Sequence, residues 1–314
     1  MLTRRHFLKQ SAATAVCASI WPASLTAAAK SGPNLQFPTR PRERIAIASY
    51  PFRAFIVDPN EQSGNAHDHR IDLKDFAGHA VSRFNINKIE PWTGHFPSTD
   101  PKYLEQFRTT VEKVRAAIVN IAVDGEHSPY AADRAEREKA VAFSKHWADV
   151  AAVLGSPSIR TNLPDAKDSE PDVERTAESL LRVVEYASTK NVIVNLENDN
   201  PVSEDPFFLV KVIEKVNSPW LHALPDFANT LASGNEGHAY EGINAMFARA
   251  YNISHIKGLE ATSDGKLVHV DMAKTFGFLK QHAYKGYCSM EWDSPGDPYQ
   301  GTADLIEKTI RFLS

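Results

Sequence analysis

Four segments of this 314-residue chain end an apolar run on a side chain that can hold a metal ion or move a proton. N-V-I-V-N-L-E closes on Glu197, L-H-A-L-P-D on Asp226, Y-N-I-S-H on His255 and G-Y-C-S-M-E on Glu291. Burying several carboxylates together is costly unless a cation or a proton offsets their charge. Three acids and one imidazole converging on one point suit a divalent ion. Mostly oxygen ligands with one nitrogen favour Mn2+, Mg2+ or Co2+, with Zn2+ also admissible. Any one of these acids alone reads equally well as the cap of a following helix; all four at the ends of successive apolar runs point to a single site.

Such convergence requires parallel strands whose ends share one rim. The run from Val192 to Leu196 is broken only by Asn195, as in a parallel strand covered on both faces. Strands are expected at residues 44–50, 87–90, 118–123, 157–161, 192–197, 221–226, 253–257 and 287–292. Helices are expected between and after them, at residues 73–84, 102–116, 132–154, 173–190, 207–216, 241–250, 270–282 and 302–313. Residues 52–70 lack periodicity and read as an inserted loop, and Asp264-Gly265 reads as a hairpin turn.

Eight alternating units predict a single-domain (β/α)8 TIM barrel over residues 44–314, preceded by a Pro- and Arg-rich linker over residues 30–43 that wraps the body. A doubly wound sheet would want a Gly-rich phosphate loop after its first strand, and S-Y-P-F-R offers none. In a barrel the chemistry sits at the carboxyl ends of the strands, and inward residues alternate with outward ones. That parity places Ile193 and Asn195 with Glu197, Leu224 with Asp226, Ile253 and Lys257 with His255, and Ser289 and Asp293 with Glu291.

The first residues read differently. Thr3-Arg4-Arg5-His6-Phe7-Leu8-Lys9 is a twin-arginine pattern, followed by a mildly apolar stretch and Ala27-Ala28-Ala29. It predicts a Tat export signal over residues 1–29, with the Tat machinery as partner of the precursor and a periplasmic or secreted mature protein. The apolar run is too short to predict a membrane span. The signal contains Arg4, Arg5 and Lys9 and no acid, so the remainder is more acidic than the whole chain at net −4, which disfavours a nucleic-acid partner. Cys288 is the one cysteine outside the signal, which rules out an internal disulfide there.

L-E-N-D-N, P-D-F-A-N, S-H-I-K-G and S-M-E-W-D resemble the last four strand ends of the xylose-isomerase-like TIM barrels, the sugar (phosphate) isomerase/epimerase superfamily, over roughly residues 44–314. The resemblance implies that Glu197, Asp226, His255 and Glu291 hold one divalent metal. It also implies that Glu197 and Glu291 act as acid and base on opposite faces of a bound sugar. A metal chelating a ketone and its neighbouring hydroxyl would stabilise the enediolate formed when a carboxylate removes the α-proton. The activity implied is therefore sugar isomerisation or epimerisation. Elimination or hydration of a 3-keto-sugar or oxidised glycoside shares the first step. Many members carry Asp-x-x-His after the sixth strand, whereas Asn229 stands three residues beyond Asp226 here. An amide binds a hydroxyl but does not titrate near neutrality. Asn200 likewise stands near a position that is His in some members.

Further expected substrate contacts are Lys257, Arg160, Glu90, Asn229, His127 and Trp92, with His95, Trp292 and Phe52 also placed near the rim. Arg160 reads equally as a group that orients Glu197, and Glu90 as a hydrogen-bond partner inside the rim; the plainer alternatives are salt bridges for Lys257 and Arg160, solvation for the loop histidines and core packing for the aromatics. A non-catalytic periplasmic sugar-binding barrel is a reading of another class, and would need no metal. A third reading, an apurinic endonuclease relative, would need more His and acidic ligands and a basic face.

Overall fold

The apolar runs form short parallel strands, and the amphipathic runs between them form the helices that cover them. The computed structural model describes residues 31–57, 70–199, 205–262 and 265–314; the export signal expected over residues 1–29, most of the loop expected over residues 52–70, Asn200, and Asp264 of the expected hairpin turn lie outside these. In chain order the first half contains β1 (Ile45–Ala48), α1 (Phe76–Phe84), β2 (Lys88–Glu90), α2 (Pro101–Lys113), β3 (Ala117–Ile118), β4 (Ile121–Val123), α3 (Arg134–Leu154), β5 (Ser158–Thr161) and α4 (Val173–Thr189). The second half contains β6 (Ile193–Glu197), α5 (Pro206–Val216), β7 (Leu221–Leu224), α6 (Asn229–Ala232), α7 (Glu236–Phe247), β8 (Ile253–Ile256), β9 (Leu259–Ala261), β10 (Leu267–His269), α8 (Met272–Gln281), β11 (Tyr287–Met290) and α9 (Pro298–Leu313). Aspartates start five of the helices: Asp133, Asp172, Asp205, Asp271 and Asp297 each accept a first-turn N–H with the side chain.

The strands pair in parallel in the orders β3-β2-β1-β11-β8 and β4-β5-β6-β7. These two arcs meet at isolated parallel bridges, Trp92 with Ala122 and Asp226 with His255. The alternating strands and helices are those of the expected TIM barrel. Its third strand is not the continuous one expected over residues 118–123: β3 and β4 are its two halves, parted at Val119-Asn120. Two features go beyond the expected elements: the short α6, and the antiparallel strands β9 and β10 on either side of the turn expected at Asp264-Gly265. Both sit beside the rim described below. No helix of the described residues is long and apolar enough to cross a membrane.

Inside the barrel a small apolar layer, Ala46, Val119, Leu224 and Ile253, packs against Tyr287. The linker closes over this end: Phe37 stands edge-on to Tyr287 and Tyr251, and the Leu35 N–H donates to Tyr251 Oη at 3.1 Å. Ile193, two residues before Asn195 on β6, is fully buried and pairs in register with Ser158 of β5. Further in, the inward positions turn polar and remain fully buried, as at Asn120, Ser158, Asn195, Asn252 and Ser289. Hydrogen bonds link three of them, from Asn252 Nδ2 to Ser158 Oγ (2.8 Å) and from Ser158 Oγ to Asn120 Oδ1 (2.5 Å). Polar groups paired in this way are tolerated in a dry interior, and they give the charged rim above them a rigid base.

Candidate active site

Glu197 ends β6, and His255 lies one residue before the end of β8; Asp226 and Glu291 follow β7 and β11 by two residues and one residue. Hydrogen bonds to the backbone carry Asp226 into place. Asn198 Oδ1 accepts the Asp226 N–H at 2.8 Å, and Asn198 Nδ2 donates to the Asp226 carbonyl at 3.1 Å. Asp226 Oδ1 then accepts the N–H groups of Ala228 and Asn229, at 2.8 and 2.7 Å, and starts α6. The Glu291 N–H is held in turn by the Ile256 carbonyl at 3.1 Å. The four side chains are all buried, and one donor atom from each lies within 4.8 Å of the others.

His255 is clamped between carboxylates. Its Nδ1 lies 2.6 Å from Glu197 Oε1 and 3.2 Å from Glu291 Oε2, while its Nε2 lies 3.0 Å from both Glu90 oxygens. Arg160 Nε approaches Glu197 Oε2 to 2.6 Å without hydrogen-bond alignment, so the contact is an ion pair. Burial pushes Glu197 up to about 8 and pushes Asp226 up as well. Burial acts the same way on Glu291 and Glu90. There the His255 cation, joined at Glu291 by Lys257, outweighs it and holds both below the ordinary carboxylate range. For His255 burial works downward, and Glu197, Glu291 and Glu90 outweigh it, so the imidazole sits well above its usual value.

Proton and metal ion compete for this position. Three carboxylates and an imidazole fit a divalent ion by donor type. Asp226 Oδ2 is buried and accepts no hydrogen bond, which leaves lone pairs for such an ion. Nδ1 is the His255 nitrogen that faces Glu197 and Glu291, so Nε2–H would be left to donate to Glu90. A carboxylate behind a metal-binding imidazole fixes its tautomer and orientation. Glu90→Gln is therefore expected to weaken Mn2+ binding about 10–100-fold. Titration of the metal-free variant, followed by electron paramagnetic resonance, checks this, and unchanged affinity would remove Glu90 from that role.

Glu197 and Glu291 face a cavity of about 560 Å³, also lined by Tyr50, Trp92, Asp124, Arg160, Asp199, Asn229, Ser233, Lys257, Glu260, Thr262 and Asp293. Of the residues expected at the substrate, Arg160, Lys257, Asn229 and Trp92 line this cavity. Lys257 Nζ donates to Asn229 Oδ1 at 2.7 Å and Glu260 Oε2 at 2.9 Å and lies 3.4 Å from Glu291 Oε2. Trp92 Nε1 donates to Asp124 Oδ2 at 2.6 Å, and its ring lies so close to Gly94 that a Cβ there would overlap it.

Glu90, expected at the substrate or as a hydrogen-bond partner inside the rim, takes the second place: it is fully buried beneath His255, and Asn120 Nδ2 also donates to it at 2.6 Å. His127, likewise expected there, pairs with Glu136 at 2.8 Å beside a separate crevice between α3 and α4. Its loop carries it past the rim. His95 is buried with its Nδ1 3.0 Å from Ser49 Oγ, Phe52 is buried among Phe76, Phe84 and Tyr299, and Trp292 packs beside the Gly301 backbone. Sequence reasoning missed Tyr50, Asp124, Asp199 and Glu260. For Tyr50 and Asp199 the signal was present, since each lies two residues past an inward strand-end position. Glu260 lies on β9, where the sequence showed only the turn that follows.

Residues 79–314 match the protein family described as Xylose isomerase-like TIM barrel. Among solved structures, a D-allulose 3-epimerase from Methylomonas sp. is similar with TM-score 0.64 and 16% identity, covering 88% of this chain and 100% of that one. A xylose isomerase-like TIM barrel protein from Mycobacterium smegmatis, in complex with magnesium, gives 0.62 and 18%, over 86% of this chain and 96% of that one. A 3-keto-D-glucoside 4-epimerase from E. coli gives 0.60 and 12%, over 85% and 98%. No curated protein sequence matches the chain. At such identities the structural likenesses speak for the fold alone, and the family match extends from α1 to the last residue. With the barrel and its buried Glu-Asp-His-Glu rim in hand, the chain belongs to the xylose isomerase-like TIM barrel family.

Proposed function

We propose that this protein is a divalent-metal-dependent sugar isomerase or epimerase that removes a proton next to a carbonyl. The observation that carries the reading is the pair Glu197 and Glu291: both face one polar cavity, and both belong to the four-residue group on its floor. A divalent ion held by Glu197, Asp226, His255 and Glu291 would supply electrophilic stabilisation of the negative charge that develops on the sugar oxygens.

One of the two glutamates takes the α-proton, and the C–H electron pair moves into the former carbonyl. The other glutamate returns a proton to the opposite face or to the neighbouring carbon. Their fixed position spares the reaction the entropy of assembling acid, base and substrate. Arg160 holds Glu197 from behind, and Asn229, whose Oδ1 accepts from Lys257, offers its amide N–H groups to substrate oxygens. Asn229 contributes hydrogen bonds and no proton transfer near neutral pH. The D-allulose 3-epimerase and 3-keto-D-glucoside 4-epimerase among the similar folds support a keto-sugar as substrate.

The test is proton exchange. Keto-sugars incubated with Mn2+-loaded protein in deuterated water are expected to acquire deuterium next to the carbonyl, read by NMR. A product of changed configuration identifies an epimerase, an aldose an isomerase, and loss of a β-substituent a lyase. No exchange across the panel, with sugar nonetheless bound, would leave a sugar-binding barrel. Export by the twin-arginine route belongs to the same proposal and rests on Arg4-Arg5. Arg4→Lys/Arg5→Lys is expected to hold the precursor in the cytoplasm, as fractionation would show.

A further inference from the structure

Six carboxylates and two cations line the cavity among the described residues, and both cations are already engaged. An ammonium has three protons to donate. Lys257 Nζ meets Asn229, Glu260 and Glu291 within 3.4 Å, with Asp226 Oδ2 at 3.8 Å. Arg160 faces Glu197 at 2.6 Å, Asp124 at 2.7 Å and Asp199 at 3.6 Å. Arg53, which stacks on Tyr50 at 4.4 Å, is held by Asp293 at 2.6 Å. None of these cations is left with its charge uncompensated by a neighbouring carboxylate.

A phosphate or carboxylate group on a substrate needs such a cation, or a cluster of unspent N–H donors. Even with a divalent ion on the floor, acids exceed cations on this wall. Carboxylates and amides serve instead as hydrogen-bond acceptors for hydroxyl protons, of which an uncharged sugar has many. From this we infer that the cavity is an anion-excluding polyol site, which takes uncharged keto-sugars and rejects their phosphates and the corresponding uronates. The inference rests on reading the cavity as a sugar site, and it concerns the substrate's charge rather than the reaction.

The experiment uses the Mn2+-loaded chain with D-fructose, D-allulose and D-tagatose against their 6-phosphates. Binding is measured by calorimetry and proton exchange in parallel. The free sugars are expected to bind at least about tenfold more tightly than their phosphates. Phosphates binding equally well or better would overturn the inference, and so would failure of every free sugar to bind. Preference for the free sugar without exchange keeps the inference and discards the isomerase reading. Exchange with the phosphate preferred does the reverse. In a second arm, Asp199→Asn/Asp293→Asn removes two charges and releases Arg53. It is expected to raise affinity for the 6-phosphates roughly tenfold with no matching gain for the free sugars. Equal effects on both classes would also overturn the inference.

Discussion

Glu291→Gln is expected to lower the rate of proton exchange by about 10²–10⁴-fold, the range that a positioned acid or base contributes. Glutamine keeps the size of the side chain and one carbonyl acceptor but cannot carry the proton. The wild-type carboxylate is suited to proton transfer because it opens onto the cavity, and because the cations of His255 and Lys257 hold it ionised against the effect of burial. Since Glu291 also belongs to the candidate metal group, metal content is measured on the same sample. A variant that keeps its metal and loses exchange assigns the proton to Glu291. Wild-type exchange in the variant would end that role.

The second large effect is expected at the floor of the cavity. Wild-type chain should bind about one divalent ion, and Glu197→Gln/Asp226→Asn should bind none. These substitutions retain volume, and an amide oxygen at position 226 can still accept the Ala228 and Asn229 N–H groups that start α6. Loss of binding would then report the missing charges rather than a lost helix start. A ligand that binds only the folded state at a hundred times its Kd adds about 2.7 kcal/mol of stability. For a chain of this size that corresponds to a rise in Tm of roughly 4 °C. Elemental analysis and thermal melts with and without Mn2+ read both quantities. An ion that persists in the double variant, or a melt indifferent to Mn2+ in the wild type, would place metal binding elsewhere or nowhere.

The sequence by itself determined the alternation of strand and helix, since periodicity of two and of 3.6 is a local property written into successive residues. It also determined which strand ends could share a rim: Leu224 and Ile253 fell in the inner apolar layer, with Asp226 and His255 two residues further on. The four residues singled out by type and spacing are the four that the fold brings together. Tertiary structure alone decided what each of them touches. Glu90 is 165 residues from His255 in the chain, and although its strand end reads as a hydrogen-bond partner inside the rim, nothing near it in sequence names the imidazole as what it backs. The broken third strand sets Asn120 under Glu90, and the β9–β10 pair brings Glu260 to Lys257. His127 left the rim for Glu136 because a loop residue, unlike one inside a strand, has no parity to fix its direction. The pairing of Arg160 with Glu197 and Asp124, and of Lys257 with Glu291, is likewise a property of distance across the barrel, which depends on how strand ends are arranged around one axis and not on any stretch of residues read alone.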